Sequence, residues 1–137
     1  MAGWGRIRES MRPATAKMIH SKEYDNLCLE AGVALYTKEA GLRRDAALRG
    51  VEMLKRAGAP VLGGDVWYKY GDRVEPAHDN WSTDPLPADD RQSYLRRTWD
   101  DTVAYIKTYR GKPGAEALFV LVVGDPAGIW QAKQSDA

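Results

Sequence analysis

From Ala117 to Gly124 the chain reads ALFVLVVG, an uncharged run that constrains the fold more than any other segment. It is too short for a buried helix, rich in β-branched residues and apolar on both faces. That pattern reads as a strand covered on two sides, in a central position of its sheet. The rest of the chain has to supply the cover.

Two helices are legible on that basis. Asp45 reads as an N-cap, with Ala47, Leu48, Val51 and Leu54 following at helical spacing and Gly58 with Pro60 as the stop. A longer helix is expected from about Arg91 to Tyr109, capped by Asp89 or Asp90. Leu95, Trp99, Thr102, Val103, Ile106 and Tyr109 form its apolar stripe. Between the helices the period changes. Val61, Leu62, Val66, Trp67, Tyr68 and Tyr70 are strand formers, and Tyr70-Gly71-Asp72 reads as a hairpin turn into a strand over Arg73 to His78. Asp79-Asn80 then reads as an Asx turn closing that strand. Upstream, Ser21 can cap a helix, but Leu27, Leu29, Val33, Leu35 and Tyr36 fit a helix or a short strand equally. These elements predict an α+β fold: a small, mainly antiparallel sheet with helices packed on one face, forming a single domain over 21–130. Residues 1–20 are expected to be an arm or short helix interrupted by Pro13. Residues 131–137 are expected to be a flexible tail, with Trp130 as a docking residue just before it.

Composition narrows the function classes. At 137 residues, 44% hydrophobic and 28% charged, the chain is long enough for a core and too apolar for disorder. A net charge of +1 argues against direct nucleic-acid binding. Neither a membrane-spanning run nor a signal-peptide pattern is found, so a cytoplasmic location without membrane association is expected. The single cysteine, Cys28, excludes an internal disulfide framework and reads as a small buried hydrophobe. Only two histidines, His20 and His78, could activate it, and nothing local links them. No phosphate loop, GxGxxG, HExxH, GxSxG or CxxC motif occurs.

The overall charge conceals an asymmetry. Between Val61 and Asp90, Lys69 and Arg73 face seven acids: Asp65, Asp72, Glu75, Asp79, Asp84, Asp89 and Asp90. Three chemistries fit parts of this segment. Asp65, His78 and Asp79 have the types needed for a divalent metal or for acid–base work, as in a small metal-dependent hydrolase. Trp67, Tyr68 and Trp99 could line a small-molecule pocket. Acids interleaved with Trp67, Tyr68, Tyr70 and Trp81 could instead form an interface for a basic protein partner. Because neighbouring strand residues face opposite ways, Trp67 and Tyr68 cannot share one core, and one must be exposed or covered by another element. Gly63-Gly64 fits a β-bulge or close backbone packing; an anion site there is disfavoured by the adjacent Asp65.

PVLGGDVWY at Pro60 to Tyr68, then Asp79-Asn80-Trp81, then Tyr105-Ile106 with Tyr109, and the final strand Leu118 to Val123 together resemble the immunity protein 40 family of bacterial polymorphic toxin systems. The resemblance spans roughly Asp45 to Gly124. It implies a non-enzymatic inhibitor, without cofactor or small-molecule substrate, that binds and neutralises a cognate toxin domain. Basic toxins are met by opposite charge, so Asp72, Glu75, Asp79, Trp81, Asp84, Asp89 and Asp90 form the expected contact set. Gly63, Gly64, Asp65 and Asn80 are expected to shape the hairpin.

Overall fold

The computed structural model describes residues 21–125. The arm expected over 1–20, the docking of Trp130 and the tail over 131–137 lie outside the described residues. In chain order the elements are α1 (Lys22–Ala31), β1 (Val33–Ala34), β2 (Ala40–Gly41), α2 (Arg44–Arg56), β3 (Val61–Tyr70), β4 (Arg73–Ser82), α3 (Arg91–Thr108) and β5 (Glu116–Val123). The fold is α+β, as expected.

The ambiguous segment resolves into both alternatives in turn. Ser21 caps α1 by accepting a hydrogen bond from the Tyr24 amide at 3.2 Å, and α1 ends at Gly32. A short strand follows, pairing β1 with β2 antiparallel. In α2 the N-cap is Arg43, without a side-chain cap bond, and Asp45 lies in the first turn instead. There its charge faces the positive end of the helix dipole, which favours an acid as a cap position does. The Arg44 guanidinium binds the carbonyls of Ile106 and Tyr109, tying the start of α2 to the end of α3. At the other end of α3, Asp90 and Ser93 form a reciprocal capping box.

The main sheet is antiparallel in the order β4-β3-β5. Its central strand is β3, which corrects the expectation for β5. The reason is that β5 is covered on both faces while lying at one side of the sheet. Phe119, Leu121 and Val123 enter the core beneath the helices with Val51, Leu54, Leu95 and Ile106. Leu118 and Val120 pack on the opposite face with Leu35 and Trp67. The backbone of Leu42 bonds to Phe119 along the outer side of β5. Two-sided apolarity thus reports two covers, not two strand neighbours.

The hairpin turns at Gly71-Asp72, where Gly71 has φ +57. A second correction concerns β4, which continues to Ser82 rather than stopping at His78. Asp65 pairs with Asn80 and Trp67 with Pro76, so three β4 residues, Ala77 to Asp79, oppose Val66 alone. Two extra residues preserve the alternation of faces. Ala77 and Trp81 therefore both lie on the helix side, whereas Val74 packs with the Trp67 cluster.

Candidate functional site

The acidic segment runs along β4 and into the loop that follows it. Asp72 and Glu75 lie towards the hairpin end, and Asp79 lies in the bulge, three residues before Ser82. Asp84, Asp89 and Asp90 lie beyond Ser82, in the loop that leads into α3. The structure therefore divides the expected contact set.

At the loop end the acids are engaged locally. Asp90 accepts from the Ser93 amide at 2.8 Å, and the Ser93 hydroxyl accepts from the Asp90 amide at 3.0 Å. Asp89 accepts from the Leu86 amide and the Ser93 hydroxyl and forms an ion pair with Arg97. Partial burial works against the Asp89 charge, but these donors outweigh it and hold its carboxyl below the usual carboxylate range. The Ser93 amide and hydroxyl do the same for Asp90. The carbonyl of the exposed Asp84 receives Arg97 at 3.0 Å.

The hairpin end is built differently. The helix α3 stops at Thr108, leaving Tyr68, Tyr70, Tyr105 and Tyr109 half-buried on one side of the sheet. The Tyr68 and Tyr109 hydroxyls are 2.7 Å apart, and Tyr109 donates to Asp79 at 2.6 Å. Since an ionised carboxylate only accepts, the chain runs from Tyr68 through Tyr109 to Asp79. Burial, then the bonds to Asp79 and Tyr68, push the Tyr109 hydroxyl well above its ordinary range. Burial with the charges of Asp79 and Asp65 raises Tyr105 to about 12. Arg73 and Lys112 both lie over the Tyr70 ring, at 4.7 and 5.8 Å.

The β4 bulge aims Asp79 at Tyr109. Within it His78 has φ +65, the one positive value for a non-glycine among the described residues, a conformation that costs about 1 kcal/mol or more. Below the tyrosines, Trp81 is 8% exposed. It stacks on Tyr105 with ring centres 4.5 Å apart and donates to the Thr102 hydroxyl at 3.0 Å. A Cβ at Gly64 would lie 2.3 Å from both the Trp81 ring and the Val120 carbonyl, so the indole requires glycine beneath it. Trp81, expected in the contact set, is instead a core anchor: the indole sits against a backbone with no room for a side chain.

Asp65, His78 and Asp79 do line one shallow cavity of about 320 Å³, with Glu39, Trp67 and Asn80. Yet among the described residues no group of three or more His, Cys, Asp and Glu is placed to hold a metal ion. The aromatic pocket is contradicted directly. Trp67 packs with Leu35, Leu118 and Val120 on one face of the sheet, whereas Tyr68 and Trp99 lie on the other. Trp99 is further committed to the Ala59 carbonyl at 2.7 Å. Trp67 is covered by Leu35 and the edge of Tyr36, which meets the requirement that Trp67 and Tyr68 find separate environments. The tyrosine network was not anticipated as a unit. Its signal was the i, i+4 pair Tyr105 and Tyr109 with the i, i+2 pair Tyr68 and Tyr70, each placing two phenols on one face.

Residues 27–123 match the family model described as immunity protein 40. The match covers more than half of the chain, and the chain belongs to that family. No curated protein and no solved structure gave a match. Among the described residues no helix is long and apolar enough to cross a membrane.

Proposed function

We propose that this chain is an immunity protein that binds a cognate toxin domain one to one and neutralises it by occlusion, without catalysis or cofactor. The match to the immunity protein family over residues 27–123 carries this reading. Such a protein acts in the cytoplasm of the cell that makes the toxin. Its docking surface runs from the hairpin turn to the β4 bulge, where Asp72, Glu75 and Asp79 flank the half-buried tyrosines. Acids there favour a basic toxin surface, and steering by opposite charge raises association rates by about tenfold or more. Trp81, Gly64, Asp65 and Asn80 serve this surface from below, by fixing the sheet that carries it.

The test is co-expression with the C-terminal domain encoded by the adjacent upstream gene. Growth is expected to be restored, with a one-to-one complex surviving purification. A harmless neighbour, or one that kills equally with and without this chain, would contradict the reading.

A further inference from the structure

We propose that the docking surface is centred on Asp79 and the Tyr105–Tyr109 pair, and that it receives a lysine or arginine side chain of the toxin domain. This rests on the immunity reading above and names the chemistry of the contact.

Asp79 is exposed and forms no ion pair with any of the described residues. Among the described residues it is bonded by the Tyr109 hydroxyl, a neutral donor that orients the carboxylate and leaves its charge uncompensated. A carboxylate in that state is complemented by a cation, and charge-assisted hydrogen bonds are the strong ones. The phenol faces beside it suit the same guest. They already draw two cations of this chain, Arg73 and Lys112, onto Tyr70. By contrast, Asp89 in the loop after β4 already holds its arginine, Arg97.

The surface is also fixed before any partner arrives. Tyr105 is stacked on Trp81, and Tyr109 is tied to both Tyr68 and Asp79. Anchors held in place lose little freedom on binding, the property that concentrates affinity in a few aromatic and charged residues.

The experiment measures affinity for the purified toxin domain from the adjacent gene, using wild type, Asp79→Asn, Tyr109→Phe and the exposed α2 control Glu52→Gln. Asp79→Asn is expected to weaken binding about 30-fold and Tyr109→Phe about fivefold, both mainly through faster dissociation, with the control within about twofold. Hydrogen exchange on the wild-type complex supplies a readout that survives a misfolded variant: protection is expected over residues 75–81 and 103–110. Wild-type binding with Asp79→Asn and Tyr109→Phe unchanged, or protection confined to other segments, overturns the contact centre and leaves the immunity reading standing. Absence of wild-type binding overturns the immunity reading itself. A second copy of this chain occupying the face, seen as a dimer that Asp79→Asn dissociates, also overturns the proposal.

Discussion

The acids from the hairpin turn to the β4 bulge and those in the loop after β4 are used in opposite ways. At the loop end, Asp90 accepts from the Ser93 amide at the start of α3, Asp89 accepts from the Leu86 amide in the loop, and Arg97 neutralises Asp89. In the bulge of β4, Asp79 is held by a phenol and faces solvent without a cation among the described residues. A carboxylate that completes a helix terminus contributes to folding. One that is oriented but electrically uncompensated remains available to a partner. Counting acids along the chain cannot make that distinction, because it depends on which donors the fold brings to each oxygen.

The sharpest way to break the comparison is to remove the floor beneath the tyrosines. Gly64→Ala forces a methyl into the Trp81 ring and the Val120 backbone, and is expected to cost about 3 kcal/mol in urea unfolding. A loss below about 0.5 kcal/mol would mean that Trp81 can leave its seat at little cost. At the loop end Ser93→Ala removes half of the capping box and should cost about 1 kcal/mol without altering toxin affinity. Weaker binding by that variant would erase the division between the two ends. Tyr68→Phe, which leaves Tyr109 bonded only to Asp79, is expected to cost about 1 kcal/mol or less.

The carboxylates and the phenols should act on opposite limbs of the pH profile. Asp89 and Asp90 have carboxyl groups held below the usual range, so their contribution is present above about pH 4 and is lost as pH falls through the folded-state values. Asp89→Asn should flatten that acid limb. Tyr105 and Tyr109 are raised, so their contribution is complete below about pH 10 and is lost as pH rises further. Tyr109→Phe should make the alkaline limb shallower without removing it, because burial also raises Tyr24 and Tyr94, and should leave the acid limb unchanged. Melting midpoints across pH decide both, and a variant that changes the other limb would contradict the assignment.

Local signals in the sequence were sufficient where the structure is local. Asp90 before Arg91, the stripe from Leu95 to Ile106 and the Gly71-Asp72 turn all depend on neighbours within a few positions. The bulge at Ala77–Asp79 was hidden, because it shows only against Val66 on the partner strand and because Asp79-Asn80 also suits an Asx turn. Edge and centre were indistinguishable for β5, since apolarity counts covered faces and says nothing of hydrogen-bonded neighbours. The Trp81 anchor and the Tyr68–Tyr109 bond join positions 21 and 41 residues apart, beyond the reach of periodicity. What the acidic composition did convey was charge near β4, without its division into structural and available halves.

The central claim is that the hairpin end, and not the loop end, meets the toxin. Stopped-flow association at low salt tests it with one charge-reversal variant for each end, Asp72→Lys with Glu75→Lys against Asp84→Lys. The hairpin-end variant is expected to associate about tenfold more slowly and the loop-end variant within about twofold of wild type. Slower association by Asp84→Lys, with the hairpin-end variant unchanged, would contradict the claim and move the docking surface to the start of α3.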